Sequence, residues 1–112
     1  MAVLEGNPGE EGAFTLRAKF PAGYQIPAHW HSRAEHITVL SGTFCVGAGD
    51  KLDKDTAARL PAGGYASMPP KMHHFAFCDE EAVVQVHGMR PFDITYINPS
   101  DDPRKHAEGA KQ

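Results

Sequence analysis

Nothing in this chain is built to cross a membrane or to be stapled together. No run of residues is both long and apolar enough to span a bilayer, which excludes a transmembrane helix. Cysteine is scarce. Cys45 and Cys78 are the only two in 112 residues, far apart and without C-x-x-C spacing, so there is neither a disulfide framework nor a zinc-ribbon signal. Excess positive charge is missing as well. Eleven Lys and Arg stand against 14 Asp and Glu, a formal net charge of -3 with the histidines neutral. Nucleic acid and anionic membranes both favour a basic face, so neither is expected as a partner. The opening stretch MAVLEGNPGEEG lacks the charged n-region and apolar h-region of a signal peptide, and the expected location is the cytoplasm. Heptads and solenoid repeats are absent. The length fits one domain with one modest core.

What the chain does have is punctuation. Eleven Gly and nine Pro fall between short apolar runs, the pattern of an all-β domain. Alternation predicts strands at Ala13 to Phe20, Tyr24 to His31, Glu35 to Leu40 and Thr43 to Gly49. Further strands are expected near Ala57 to Leu60, then at Tyr65 to Pro69, His74 to Cys78, Ala82 to Gly88 and Phe92 to Ile97. Lys51 to Leu60 has room for a short helical turn but reads as a charged, solvated loop leading into a strand. Ten or so short strands at close spacing suggest a sandwich or a barrel. One domain is expected over residues 1–99, followed by a polar, extended or disordered tail over 100–112.

The chain is also rich in histidine, with seven, most of them in two clusters. In a strand, residues two apart point to one face, so His29 and His31 project together and Trp30 projects away. A reversal through Ser32, Arg33 and Ala34 would start a neighbouring strand with Glu35 close to His31. Two imidazoles and a carboxylate on one inner face make three-quarters of a divalent metal site. The remaining donor is expected from the second cluster, His73 and His74.

At this point the sequence resembles a known family. Gly23, His29, His31, Glu35 and Gly42 match every defined position of the first cupin motif, G-x5-H-x-H-x3-E-x6-G. Gly63, Pro69 and His74 match the second, G-x5-P-x-G-x2-H-x3-N, while Lys71 stands at its turn glycine and Cys78 at its asparagine. The chain is similar to small single-domain cupins of the cupin 2 conserved-barrel type, and more narrowly to the ChrR-like cupin domain. The resemblance implies a double-stranded β-helix, or jelly-roll, barrel. It implies a divalent transition metal (Fe, Mn, Ni, Cu or Zn) held by His29, His31, Glu35 and His74. Spacing from Gly63 and Pro69 selects His74 over His73, and alternation then places His74 with Ala76 and Cys78 on one face and Phe75 with Phe77 on the other.

Three imidazoles and a carboxylate leave open positions on a metal that takes five or six ligands. Such a site suits a metal-dependent enzyme acting on a small organic molecule, with dioxygenase-like chemistry favoured over isomerase, decarboxylase or lyase chemistry. A non-catalytic metal or small-ligand sensor is the alternative, and a storage protein with a vestigial site a third. No catalytic residue is fixed by the motifs. His87 and Gln85 are candidates if their side of the strand faces the cavity, and ordinary edge residues if it faces solvent; Arg33 is a candidate for meeting an anionic substrate. His36 is expected to point away from Glu35. Cys45, Met68, Met72, Met89, Phe44, Phe75, Phe77 and Phe92 are expected to pack the barrel, with Cys78 buried and inert. The family implies a homodimer, for which the strand Ala13 to Phe20 and the outward Phe75 and Phe77 are the expected interface elements.

Overall fold

The computed structural model describes residues 2–5, 12–90 and 93–102. They form ten strands and one turn of 3-10 helix. In chain order the strands are β1 (Ala2–Glu5), β2 (Gly12–Phe20), β3 (Gln25–Trp30), β4 (Glu35–Ser41), β5 (Thr43–Ala48), β6 (Ala58–Pro61), β7 (Tyr65–Met68), β8 (His74–Phe77), β9 (Ala82–Arg90) and β10 (Thr95–Tyr96). Two antiparallel sheets of five strands face each other, in the orders β1-β2-β9-β4-β7 and β10-β3-β8-β5-β6. This is the all-β jelly-roll arrangement that the short, Gly- and Pro-bounded runs predict.

Alternation along the strands builds the core. Phe14, Leu16 and Ala18 of β2, Ile37 and Val39 of β4, and Val84 and Val86 of β9 meet Phe44 and Val46 of β5 and Ala76 of β8 in one buried cluster. The turns that return the chain need special backbone conformations. Gly42, between β4 and β5, has φ of +75° and lies so close to the Glu81 carbonyl that a Cβ there would sit 2.3 Å from its oxygen. Only glycine serves both demands.

Several expectations need correction. β1 escaped the sequence reading because four residues carry too little periodicity. The strand expected at Phe92 to Ile97 shrinks to Thr95–Tyr96, and Phe92 lies outside the described residues. The tail begins with a 3-10 turn, Pro99–Asp101, capped by the Asn98 side chain, which accepts from the Ser100 N–H at 3.1 Å; residues 103–112 lie outside the described ones. Met89 is exposed instead of packing the barrel.

Phe75 and Phe77 are not interface residues. They point to the outer face of their sheet as alternation predicts, but there they are buried with Cys45 under Leu52 and Ala57. The stretch read as a solvated loop is therefore a cover. Its charges sit at the rim, where Lys54 Nζ lies 5.2 Å above the Phe77 ring and 3.6 Å from Asp79. Gly47 pairs with Phe75 across β5 and β8, and the far end of the Phe75 ring abuts it; a Cβ on Gly47 would fall 2.3 Å from the ring. β2, the other expected interface element, runs between β1 and β9 and offers no open edge.

Candidate metal centre

The four residues singled out by spacing come together inside the roll, all of them buried. His29, the residue before the last of β3, lies directly across from His74, which opens β8. His31 follows the end of β3. Their rings are 4.2 Å apart (His29 and His74), 4.9 Å (His29 and His31) and 5.1 Å (His31 and His74) between centroids. One nitrogen from each of the three rings lies within 4.8 Å of the others, a grouping that can hold a metal ion. Glu35 arrives differently from expectation. β4 is not the neighbour of β3 in one sheet but belongs to the facing sheet, so the carboxylate crosses the interior. Its Oε1 lies 3.5 Å from His31 Nε2 and 3.3 Å from His74 Nε2.

Hydrogen bonds fix which nitrogen each ring turns inward. His29 Nδ1 donates to the Pro27 carbonyl at 2.7 Å, His74 Nδ1 to the Met72 carbonyl at 2.9 Å, and His31 Nδ1 to the Asp93 carbonyl. A carbonyl only accepts, so every Nδ1 carries a hydrogen and the neutral ring keeps its lone pair on Nε2. Lone pairs from three imidazoles thus converge in one buried space beside a carboxylate. His74 Nε2 is buried and makes no hydrogen bond, even with Glu35 close by. Such an arrangement is costly without a cation, and it fits a divalent ion that takes imidazole nitrogen and carboxylate oxygen.

Electrostatics agree with the geometry. Burial lowers the His29 pKa to about 4, against an opposing hydrogen bond to Pro27, so the ring is neutral near pH 7. Burial also works against the charged form of His31, but Glu35 and Asp93 outweigh it and the pKa rises. For Glu35 burial would raise the pKa; contact with His31 and His74 wins and brings it to about 2. The site therefore presents an ionised carboxylate among imidazoles.

The remaining candidates fall elsewhere. His73 is turned to Asp50, outside the cluster, so the choice of His74 by spacing agrees with where the rings lie. Gln85 and His87 are on the outer face of their sheet, away from the cavity: Gln85 accepts from Arg17 at 3.0 Å and His87 stacks on His36. His36 points outward as alternation requires. Arg33 is exposed in the turn before β4. Cys78 is buried, its thiol donating to the Pro21 carbonyl at 3.3 Å.

The sequence reading missed Asp93. Its backbone carbonyl holds the His31 ring, and its carboxylate accepts from the Ser32 N–H and hydroxyl, both at 2.8 Å. No motif position marks it; a residue 62 positions from His31 carries no spacing signal. The turn before His74 also forms without its usual glycine. Lys71 adopts φ of +65°, and Met72 N–H closes the turn on the Pro69 carbonyl at 3.2 Å.

Two cavities meet the centre. One of about 60 Å³ lies inside the roll, where Phe20, Ile26, Ile37, Phe44 and Val86 surround the edge formed by His29, Glu35 and His74. An open cleft of about 170 Å³, lined by Val46, Ala66, Met68 and Met72 among others, reaches His74 from outside.

The family model described as the ChrR Cupin-like domain matches residues 2–93. No curated protein sequence matches the chain. Among solved structures, it is similar to a cupin-2 domain protein of Shewanella frigidimarina NCIMB 400, at 20% identity and TM-score 0.59 over 70% of this chain and 71% of that one. A DMSP lyase, DddQ of Ruegeria pomeroyi DSS-3, aligns at 19% identity and TM-score 0.69 over 84% of this chain and 49% of the lyase. A salicylate 1,2-dioxygenase of Pseudoaminobacter salicylatoxidans aligns at 10% identity and TM-score 0.64 over 74% of this chain and 24% of the dioxygenase. At these identities the likeness is one of fold.

Proposed function

Because this chain belongs to the family of ChrR cupin-like domains, we propose that it holds a divalent transition metal on His29, His31, His74 and Glu35 and is a metal-dependent enzyme for a small organic molecule. The observation that carries the reading is the convergence of three Nδ1-tethered imidazoles beside Glu35, with a cavity of about 60 Å³ and an open cleft reaching the same edge. When bound, the metal supplies Lewis-acid polarisation of a substrate oxygen or a seat for dioxygen. The chain supplies the rest. The three carbonyl tethers fix the imidazole tautomers, Glu35 contributes negative charge, and the apolar wall from Phe20 to Val86 excludes water from the inner side. The dioxygenase and the lyase among the structural neighbours favour this reading over a storage role; oxygenase-type chemistry is the first to test.

The match to the ChrR cupin-like family favours a second reading, a non-catalytic metal or small-ligand sensor. Metal analysis of the protein from its own host separates the two. Iron together with oxygen uptake on a small aromatic or diketone substrate supports the enzyme. Stoichiometric zinc with no turnover supports the sensor. His74→Ala is expected to lose metal while His73→Ala keeps it; equal loss in both would overturn the ligand set. A cytoplasmic homodimer completes the proposal, to be checked by fractionation and by sedimentation.

A further inference from the structure

Of the seven histidines, three form the centre, His73 faces Asp50, and His106 lies outside the described residues. Two are left, and the fold places them together. His36 of β4 and His87 of β9 are direct partners in the register of two adjacent antiparallel strands, on the outer face of their sheet. Their rings lie 4.9 Å apart and 16° from parallel. Tyr65 of β7, one row along, brings its hydroxyl 2.7 Å from His36 Nδ1. Tyr65 is 54% exposed, so this corner of the sheet is open to solvent.

Opposed residues on antiparallel strands have Cβ atoms about 4.5–5.5 Å apart. Two imidazoles at that spacing reach one ion at about 2.0–2.1 Å from each nitrogen once the rings turn out of their near-parallel stack and aim both in-plane lone pairs at one point. The Tyr65 hydroxyl holds the His36 ring by its Nδ1; in the tautomer in which it accepts the Nδ1 hydrogen, Nε2 is left as the donor to metal. The register neighbours in the same row are Thr15 beside His87 and Ser67 beside His36, with Glu5 of β1 opposite Thr15 one strand further out. Arg17, the nearest cation in the next row, is tied to Gln85.

We propose that His36 and His87 form a second metal site, a half-buried bis-imidazole chelate on the outer face of the sheet for a borderline divalent ion such as Cu²⁺, Ni²⁺ or Zn²⁺, with Tyr65 as its positioning residue. Borderline ions are favoured over hard ions such as Mg²⁺ and Ca²⁺ because the two donors are imidazole nitrogens. The site is separate from the buried centre although β4 supplies both, since Glu35 and His36 leave the strand on opposite faces.

The test is a titration of protein whose buried centre is already loaded, using Cu²⁺ followed by nitrogen hyperfine structure in electron paramagnetic resonance, and Ni²⁺ by calorimetry. Wild type should take one further equivalent with two nitrogen donors. His87→Ala should lose that equivalent and keep the buried metal. Tyr65→Phe should bind about 10-fold more weakly. Ser67→His, which adds an imidazole on the far side of His36, should bind more tightly. The proposal fails if His87→Ala or His87→Gln retains the extra ion, if Ser67→His brings no gain, or if sedimentation shows the ion joining two copies instead of sitting within one chain.

Discussion

The backbone N–H of Lys71 donates to the carbonyl of His31 at 2.7 Å, tying the turn before His74 to the segment that carries the other two imidazoles. That bond is made by a residue in the left-handed region, at φ of +65°. An L-residue with a side chain costs roughly 1–2 kcal/mol there, while glycine costs unfolded-state entropy of roughly 0.5–1 kcal/mol. Lys71→Gly is therefore expected to stabilise the protein by up to about 1 kcal/mol, and Lys71→Val to destabilise it. Thermal melts of the two variants decide; a lower melting temperature for Lys71→Gly would mean that the lysine makes a compensating contact.

Asp93 reaches the centre through His31 and Ser32. Removing its carboxylate in Asp93→Ala loosens the segment whose carbonyl holds the His31 ring. Outer partners of metal ligands are worth about 10–100-fold in affinity, and a loss near 10-fold is expected, with the fold intact by circular dichroism. Asp93→Asn keeps an oxygen for the Ser32 N–H and should recover part of it. Unchanged affinity in Asp93→Ala would remove Asp93 from the site.

Gly47 and Phe75 make the sharpest packing prediction. Phe75 is fully buried beneath the 50–57 loop, so its ring has nowhere to go when a methyl group is placed 2.3 Å from it. Gly47→Ala should cost about 1–3 kcal/mol by overpacking. Chemical denaturation measures it, and Gly47→Ala combined with Phe75→Leu should restore part of the loss.

The metal-free protein should have a stability maximum near pH 6.5. His29 has a folded pKa of about 4 against 6.5, and Glu35 about 2 against 4.5. For both, the unfolded chain takes up the proton first, so stability falls as pH drops from 6.5 toward 4 and again from 4.5 toward 2. His31, raised above 6.5, acts oppositely: its contribution is full below 6.5 and is lost as pH rises through its folded value. Urea midpoints at pH 4.5, 6.5 and 8.5 should peak at the middle value. A midpoint higher at pH 4.5 than at 6.5 would contradict the buried, neutral state of His29.

The pairing of His29 with His31 on one face and the all-β class were legible in the chain because both rest on short-range geometry. A period of two puts His29 and His31 on one face, and Gly and Pro mark the ends of strands. Motif spacing from Gly63 and Pro69 separated His74 from His73, and alternation then turned Phe75 and Phe77 away from the cavity. Which sheet each strand joins is not a local property. β3 and β4 are consecutive yet lie in facing sheets, so Glu35 meets His31 across the interior and not along a shared edge. Nor can alternation say whether an outer face is wet: Phe75 and Phe77 are covered by the loop that follows β5, while His87 and Gln85, on an equally outward face of the other sheet, are not enclosed. The roles of Asp93 and the pairing of His36 with His87 likewise depend on contacts between residues tens of positions apart. Sequence pattern sets which side of its own strand a side chain leaves by; only the packing of one strand against distant ones decides what it finds there.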